Sequence, residues 1–330
     1  MTSPTVVVAV GGNALLRGDE YATIDEQFDA ARRIAAPLAE LTKVGYRILL
    51  THGNGPQVGF IQRRSDLVAS IAPELPRLDL DMCVADSQGS IGYILAATLA
   101  GELRSAGLPH RVTAVLTHTV VDPRDPAFAN PSKPIGSWYP EAVARRLAGQ
   151  NGWTITEDAG RGWRRVVPSP RPRRILEQQA ISTLSAAGFL VVAAGGGGIP
   201  VVEEADGRYR GVEAVIDKDH ASAILADAVY AELLIITTGV ARVAVNFGKP
   251  NQRPLCRIDA AEARRHLVDG QFPPGSMGPK IEAALRFVES GDSGKREVLI
   301  TSLDRLTEAL RGETGTRLVR HACQVPAAEN

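Results

Sequence analysis

The chain has 330 residues, 44% of them hydrophobic, which is enough for one large α/β domain or two smaller ones. Lysine plus arginine and aspartate plus glutamate both total 37, and this balance argues against a broad charged surface for nucleic acid or a membrane. The three scattered cysteines, Cys83, Cys256 and Cys323, lack metal-ligand spacing and an even count for disulfides, which favours a reducing cytoplasm.

The predicted elements begin with a buried strand at residues 5–10, whose apolar run is too short for a signal peptide or for the ~20 residues of a membrane span. Similar β-branched runs predict strands at 47–50, 111–116, 189–193, 233–236 and 297–300. Apolar residues at helical spacing predict helices at 25–42, 91–106, 175–187 and 279–289. Strands that alternate with helices in this way predict a mostly parallel sheet with helices on both sides.

Two segments interrupt this alternation. Residues 122–172 are rich in proline, glycine and arginine and hold all three tryptophans, Trp138, Trp153 and Trp163. This segment is too long for an ordinary loop, so we predict a small inserted subdomain or a lid. Residues 246–278 form the second irregular stretch. A boundary between two lobes is expected near 172–190, although one continuous sheet could cross it.

Four glycine-rich turns each follow a predicted strand. They are Gly-Gly-Asn-Ala at 11–14, Thr-His-Gly-Asn-Gly-Pro-Gln at 51–57, four glycines at 195–198 and Thr-Thr-Gly at 237–239. Open α/β sheets bind ligands beyond the carboxyl ends of their strands, where glycine lets backbone N–H groups approach phosphate oxygens. The turns therefore predict an anion site, with tight-turn geometry alone as the alternative. The chain lacks a Gly-x-x-x-x-Gly-Lys-Ser/Thr loop, and no Gly-x-Gly-x-x-Gly follows its first strand, which weakens a dinucleotide interpretation.

Three lysines lie in loops, where packing of a helix face does not explain them: Lys133, Lys218 and Lys280. A transferred phosphoryl group needs such cations to compensate its charge. Lys280 stands at the start of a predicted helix, where a cation opposes the helix dipole unless a bound phosphate offsets it. A solvated side chain is the alternative for each lysine.

Two aspartates, Asp217 and Asp219, flank Lys218. One carboxylate could orient the lysines while the other approaches Mg²⁺, which prefers few carboxylates together with phosphate oxygens. The alternatives are solvated carboxylates or an N-cap for a helix at 220–228, with Asp219 as the cap. His52, in the second glycine turn, is interpreted as a structural residue that supports the site, with substrate contact as the alternative.

Motifs along nearly the whole chain, from about residue 6 to 301, resemble those of the carbamate kinases within the amino acid kinase family. Among them are Gly-Gly-Asn-Ala at 11–14, His-Gly-Asn-Gly-Pro-Gln-Val-Gly at 52–59 and Lys-Pro-Ile-Gly at 133–136. Further matches lie at 88–93, 121–123, 160–164, 167–170, 195–202, 211–219 and 274–277. The tail beyond residue 301 matches poorly.

The resemblance implies an α/β fold, a three-layer α/β/α sandwich with a mostly parallel central sheet and a small protruding subdomain. Residues 1–121 and 173–190 would form an N-terminal lobe that binds carbamate or the carbamoyl group. Residues 122–172 would be the protruding subdomain or lid, and 191–330 a C-terminal nucleotide-binding lobe. The resemblance also implies a homodimer that catalyses ATP + carbamate ⇌ ADP + carbamoyl phosphate, with Mg²⁺ accompanying the nucleotide. In fermentative arginine catabolism the family runs this reaction toward ATP.

The resemblance also assigns residues to three groups. Lys133, Lys218, Asp219 and Lys280 match the catalytic residues, with Asp219 organising the lysines. Wider family members carry a lysine two residues before the Gly-Gly pair; here that position is Ala9, and Lys133 would supply the missing charge. The acceptor site would comprise Gly11, Gly12, Asn13, Gly53, Asn54 and Gly55. The nucleotide site would comprise Thr238, Gly239, Asn246, Phe247, Gly275, Ser276 and Met277, and no residue is assigned to a metal.

Three other functions stay open at this point. A kinase for another carboxylate, such as an acetylated amino acid, would share the fold, although the Lys-Pro-Ile-Gly string favours carbamate. A nucleotide sensor without catalysis would bind ADP and show no turnover, which the presence of all three lysines disfavours. A dinucleotide oxidoreductase is the most distant alternative.

Overall fold

The computed structural model describes residues 3–15, 23–109, 111–158, 160–291 and 296–321. The helices are α1 (Ile24–Lys43), α2 (Gln57–Ala69), α3 (Leu80–Ser105), α4 (Glu141–Asn151), α5 (Gln178–Ala186), α6 (Lys218–Ala228), α7 (Ala260–Val268), α8 (Met277–Ser290) and α9 (Leu306–Leu310). The strands are β1 (Thr5–Val10), β2 (Arg47–His52), β3 (Val112–Ala114), β4 (His118–Val121), β5 (Lys133–Tyr139), β6 (Thr154–Glu157), β7 (Trp163–Val167), β8 (Pro172–Ile175), β9 (Leu190–Val192), β10 (Ile199–Glu203), β11 (Tyr209–Gly211), β12 (Leu233–Thr238), β13 (Ala244–Val245), β14 (Arg253–Pro254), β15 (Arg257–Asp259), β16 (Glu297–Ser302) and β17 (Thr316–Val319). Short 3₁₀ turns lie at Gly12–Leu15, Pro126–Phe128, Gly195–Gly197 and Leu303–Arg305.

The central sheet contains eight strands in the order β15-β17-β16-β12-β1-β2-β9-β3. Its neighbouring strands pair in parallel, apart from the antiparallel pair β16 and β17. All six strands predicted from β-branched runs belong to this sheet. The mostly parallel sheet is therefore confirmed, and one sheet crosses the region in which a lobe boundary was expected.

Both faces of the central sheet are covered by helices, because its strands are apolar on both sides. Along β1, Val7 and Ala9 pack into one core together with residues of α5, α6, α7 and α8. Val6, Val8 and Val10 point the other way, into a second core with α1, α3 and α9. This alternation with a period of two residues produces the predicted three-layer α/β/α sandwich.

The helix boundaries differ most from the predicted ones in α3. The predicted helix at 91–106 begins at Leu80 in the structure. Polar side chains obscured the first half of the helix: Ser87 and Gln88 are buried there, and Gln88 exchanges two hydrogen bonds with the backbone of Thr117. A search for apolar periodicity misses buried polar residues of this kind, because their partners lie far away in the sequence.

The insertion between β4 and β8 forms a small antiparallel sheet in the order β5-β7-β6, together with α4. Arginines stack on its tryptophans in place of a large apolar core: Arg164 lies 4.6 Å from the Trp138 ring centre and Arg165 lies 5.4 Å from that of Trp153. The predicted subdomain at 122–172 thus has secondary structure of its own, while the lobe boundaries proposed from the resemblance stay predictions.

The insertion meets the main body at two glycines, Gly59 in α2 and Gly136 in β5. A Cβ atom on Gly59 would lie 2.3 Å from both Cα and N of Gly136. Such a distance leaves no room for a side chain, so the two backbones pass in direct contact. Gly136 itself has a positive φ of 70°, which favours glycine there as well.

We predict that Gly59→Ala lowers the free energy of unfolding by about 1–3 kcal/mol, because the methyl group forces α2 and β5 apart. Gly101→Ala is the matched control, since Gly101 lies within α3 and no described heavy atom outside its local helix backbone lies within 4 Å of its added Cβ. The control replaces a helical glycine without a clash and should stabilise the protein by about 0.5–1 kcal/mol. Urea unfolding measures both variants; midpoints that shift in the same direction would contradict the close contact.

Candidate active site

A cavity of about 640 Å³ lies beyond the carboxyl ends of five neighbouring strands, β16, β12, β1, β2 and β9. Each strand contributes the turn that follows it. The lining residues from these turns are Gly11, Gly12, Gly53, Asn54, Gly55, Gly196, Thr237, Thr238, Gly239, Ser302, Leu303 and Asp304. The four glycine turns recognised in the sequence therefore meet at one cavity, as expected for an open parallel sheet.

The first two glycine turns touch each other through their backbones. A Cβ atom on Gly12 would lie 2.4 Å from the carbonyl oxygen of Gly55, and one on Gly53 would lie 2.6 Å from the amide nitrogen of Gly12. The Gly53 N–H donates a hydrogen bond of 2.9 Å to the carbonyl oxygen of Val10. Glycine is required at positions 12 and 53 because any side chain would separate the two turns. Asn13 belongs to the first turn, and its side chain lies outside what the structure describes.

His52 supports the second turn from behind and is not among the described residues that line the cavity. Its Nδ1 lies 3.0 Å from the carbonyl oxygen of Gly53, which places the ring proton on Nδ1. Burial lowers the pKa of His52 to about 4, so the ring is neutral near pH 7. Asn54 is also buried, and its Nδ2 donates to Ser87 Oγ over 3.1 Å. The structure thus agrees with the structural interpretation of His52.

The three lysines converge on the cavity from a strand and two helices, so the prediction that they lie in loops is wrong. Lys133 comes from β5 of the insertion, Lys218 is the first residue of α6, and Lys280 lies in the first turn of α8. Lys218 Nζ lies 2.5 Å from Asp219 Oδ1, and Lys280 Nζ lies 2.7 Å from Asp219 Oδ2. Lys133 Nζ donates to Asp217 Oδ2 over 2.9 Å. Two aspartates therefore hold three ammonium groups at the edge of one cavity.

The two aspartates have different structural roles, and the suggestion that Asp219 caps the helix is wrong. Asp217 is the N-cap of α6, because its Oδ1 accepts a hydrogen bond of 2.9 Å from the Asp219 N–H. Asp219 is the second residue of α6, and its carboxylate binds Lys218 and Lys280. Asp217 thus joins a helix cap to the lysine of the insertion.

Burial and charge act against each other in this cluster. Burial raises the pKa of each aspartate, but the neighbouring lysines outweigh it, so the pKa values of Asp217 and Asp219 lie below the ordinary range. Burial also lowers the pKa of Lys218, and the positive charge of Lys280 adds to that effect. For Lys280 the negative charge of Asp219 outweighs burial and raises the pKa. The two aspartates and Lys280 are therefore ionised at neutral pH.

The cavity carries an excess of positive charge. Its cationic lining residues are Arg33, Lys133, Arg164, Lys218 and Lys280, and its anionic ones are Asp217, Asp219 and Asp304. The residues 302–304 follow a predicted strand, so the rule that found the glycine turns applies to them too. Arg33 lies on α1 without any motif, and Arg164 lies in a string that the resemblance left without a role. An anionic ligand matches this charge distribution.

The residues assigned to a nucleotide by resemblance lie partly on the cavity. Thr238, Gly239 and Gly275 line it. Ser276 is the N-cap of α8, and Met277, its first residue, packs against the core. Asn246 and Phe247 follow β13 and are not among the described lining residues; the Phe247 side chain is exposed.

The described part of the chain shows neither a cluster of metal ligands nor a membrane-spanning helix. It contains no group of three or more His, Cys, Asp or Glu side chains placed to hold a metal ion. Cys83 is buried, which raises its pKa to about 12, and Cys256 is exposed, while Cys323 lies outside the described residues. Within the same ranges, no helix has both the length and the apolar character needed to cross a membrane.

Comparison with known proteins gives a consistent assignment. A model of the amino acid kinase family matches residues 4–302. The carbamate kinase of Thermococcus kodakarensis is 48% identical over 316 residues, which are 96% of this chain and 99% of that protein. The carbamate kinase-like protein YahI of Escherichia coli is 47% identical over 96% of this chain and 98% of its own.

A solved structure supports the same assignment. The structure of carbamate kinase from Giardia lamblia bound to AMP-PNP matches with a TM-score of 0.87 at 40% identity and covers 97% of this chain and 99% of that one. Sequence and fold agree over nearly the full length of both partners in these comparisons. The chain belongs to the amino acid kinase family and, within that family, to the carbamate kinases.

Proposed function

We propose that this phosphotransferase catalyses the reversible reaction ATP + carbamate ⇌ ADP + carbamoyl phosphate. The observation that carries the proposal is the convergence of Lys133, Lys218 and Lys280 on one cavity lined by glycine turns. Phosphoryl transfer requires this combination, because the charge of the moving group must be compensated while its two partners stay aligned. The relatives named as carbamate kinases support carbamate as the acceptor.

The acceptor binds at the paired turns of β1 and β2 in this proposal. Backbone N–H groups of Gly11, Gly12 and Gly55, with Gly53, Asn13 and Asn54 shaping the turns, hold the carbamate and one side of the phosphoryl group. A carbamate oxygen is already anionic, so its attack on phosphorus needs no general base. Catalysis then rests on alignment and on electrostatic stabilisation by the three lysines.

The nucleotide binds on the opposite side of the cavity in this proposal. Thr238, Gly239 and Gly275 lie there, and the N-terminal end of α8 adds a favourable helix dipole for the phosphates. Phe247, exposed in the turn after β13, offers an aromatic face to the adenine base, with Asn246 beside it and Ser276 and Met277 at the start of α8. The relative solved with AMP-PNP supports binding of an adenine nucleotide.

Mg²⁺ enters with the nucleotide in this proposal. Two of the three described carboxylates that line the cavity, Asp217 and Asp219, are engaged by lysines, so the protein offers few free oxygen ligands. Mg²⁺ suits such a site, because it commonly binds through substrate phosphates and water with one or two carboxylates. When bound, it supplies further positive charge to the phosphates.

A coupled assay of ATP formation from ADP and carbamoyl phosphate tests the function directly. We expect sustained ATP formation, and in the reverse direction we expect ATP consumption with carbamate but not with N-acetylglutamate or acetate. A higher rate with N-acetylglutamate would favour a kinase for another carboxylate. Binding of ADP without turnover of any acceptor would favour a nucleotide sensor.

We also propose that the enzyme works as a cytoplasmic homodimer that runs toward ATP in arginine catabolism. The dimer is supported by α3, which exposes Tyr93 close to the edge strand β3 of the central sheet and Met82 nearer its N-terminal end. An exposed edge strand beside an apolar helix face favours association. Light scattering after size-exclusion chromatography should give twice the chain mass of 35.1 kDa; a monomer at micromolar concentration would contradict the dimer.

We predict that kcat/KM for carbamoyl phosphate declines as the pH rises. The midpoint of this decline should lie below the ordinary lysine pKa of about 10.4. Lys218 must be charged to act, and burial lowers its pKa. Activity is therefore lost as the pH rises through the lowered pKa of Lys218. Lys218→Arg should remove this decline, because a guanidinium stays protonated. Lys280→Arg is the control and should leave the decline in place, since the pKa of Lys280 is raised. An identical pH profile in Lys218→Arg and wild type would contradict the assignment.

A further inference from the structure

Arg164 lines the active-site cavity from the insertion, beside Lys133 and Pro134. It lies on β7, and only 10% of its side chain is exposed. Burial of a guanidinium is costly unless its donors and its charge find partners. The hydrogen-bond and charge partners of Arg164 indicate which kind of ligand it can bind.

The guanidinium of Arg164 is held on three sides. Its Nη2 donates to the carbonyl oxygen of Gly136 over 2.9 Å, and its Nη1 lies 3.2 Å from Asp158 Oδ2. Its flat face lies 4.6 Å from the centre of the Trp138 ring, and Trp138 itself donates to Asp158 over 3.0 Å. The position of the group is therefore fixed before any ligand arrives.

One nitrogen of the Arg164 guanidinium has no partner within the described part of the chain. Its Nε is buried and has no hydrogen-bond partner among the described residues. Its charge is also only partly balanced, because Asp158 is shared between Arg164 and Arg161. A buried N–H without a partner costs free energy, which an incoming anion would recover.

The contacts of Arg164 connect it to the turn after β2, which is part of the proposed acceptor site. It binds the carbonyl of Gly136, and Gly136 touches Gly59 near the start of α2, directly after the turn that holds Gly53 and Gly55. The nucleotide residues Thr238 and Gly239 come from a different strand end, β12. Arg164 thus belongs to the acceptor half of the cavity.

We propose that Arg164 is a substrate-binding residue that donates to a non-reacting oxygen of the acceptor, the carbamate oxygen or the carbonyl oxygen of carbamoyl phosphate. The proposal rests on the proposed function and extends it with a fourth cation. The remaining N–H groups of a guanidinium lie in one plane at fixed angles, so they favour an acceptor oxygen in a defined position. Lysine in its place keeps the charge but loses this geometry.

The chain supplies a matched control in Arg161. Both arginines contact Asp158 and both stack on Trp138, Arg161 at 4.8 Å, but Arg161 is half-exposed and is not among the described lining residues. The KM values for carbamoyl phosphate and ADP are measured for Arg164→Gln, Arg161→Gln and wild type. We expect Arg164→Gln to raise the KM for carbamoyl phosphate about 10- to 100-fold and to leave that for ADP within about twofold. Arg161→Gln should leave both within about twofold.

Three results would overturn the proposal. Unchanged KM for carbamoyl phosphate in Arg164→Gln is one, and an equal rise in Arg161→Gln is another, because it would assign the effect to the stack on Trp138. An equal rise of both KM values in Arg164→Gln is the third, because it would indicate a disturbed cavity. If Arg164→Gln does not fold, Arg164→Lys provides the same comparison.

A binding experiment separates this proposal from the proposed function. Isothermal titration calorimetry with phosphonoacetamide, a stable analogue of carbamoyl phosphate, requires no turnover. If wild type forms no ATP from carbamoyl phosphate, the proposed function fails, yet binding that weakens in Arg164→Gln and not in Arg161→Gln still supports an anion contact at Arg164. Equal binding by both variants, or none by wild type, would overturn that contact.

Discussion

Lys280→Met is expected to lower kcat/KM for ATP formation by about 10²- to 10³-fold while the protein stays folded, by analogy with the loss of one preorganised donor from an oxyanion site. The ammonium of Lys280 reaches the cavity from the first turn of α8 and lies 2.7 Å from Asp219 Oδ2. Methionine fills nearly the same volume without the charge. The partner carboxylate keeps Lys218, so no aspartate is left buried alone.

Lys43→Met is the control for this substitution. Lys43 lies at the exposed end of α1 and pairs with Glu40, a surface pair that contributes little. Its rate should stay within about twofold of wild type. Rates of Lys280→Met within tenfold of wild type, measured on protein with a native unfolding transition, would reject the role of Lys280 in charge compensation.

The part of this site that the sequence predicted follows from local rules. Each glycine turn follows a β-branched run, and the carboxyl ends of adjacent parallel strands share one edge, so the turns at 11–14 and 51–57 had to meet. β1 itself coincides with the predicted range 5–10, because its run is bounded by a glycine pair. Local pattern and global topology agree for these elements.

The part that was not predicted depends on contacts between distant residues. No local pattern shows that Lys133, in the insertion, pairs with Asp217 at the cap of α6. The same holds for Arg164, whose role depends on a stack with Trp138 and on a cavity formed by other strands. A sequence motif indicates which residues are candidates for the site. Only the packed structure shows which charged side chains share a partner.

Resemblance and geometry also contribute different information about the nucleotide site. The assignments of Thr238, Gly239 and Gly275 come from the family motif, and the cavity independently includes them. Asn246 and Phe247 rest on the motif alone, since neither is among the described lining residues of the cavity. These two remain predictions that a nucleotide complex would test.

Asp219→Asn should have the largest effect on stability among single substitutions in the cluster. Asp219 is 3% exposed, and its two oxygens bind Lys218 and Lys280. Asparagine has the same shape, but its oxygen can accept from one lysine only, and its NH₂ group faces the other. Because two buried ammonium groups lose their counter-charge, we expect the free energy of unfolding at pH 7 to fall by about 3–5 kcal/mol and the rate by at least about 100-fold.

Asp227→Asn provides the control, because Asp227 pairs with Arg296 over 2.6 Å but has a half-exposed side chain. Asp227→Asn should lower the free energy of unfolding by less than about 1 kcal/mol.

The pH dependence of stability separates the effect of the Asp219 charge from that of its shape. The pKa of Asp219 is lower in the folded protein than in the unfolded chain, so its stabilisation is complete above the unfolded value of about 3.9 and is lost as the pH falls through the folded value. The difference in urea midpoint between wild type and Asp219→Asn should therefore narrow on acidification below about pH 4. A difference that stays constant or widens there would show that Asp219 stabilises the fold through its shape and not through its charge.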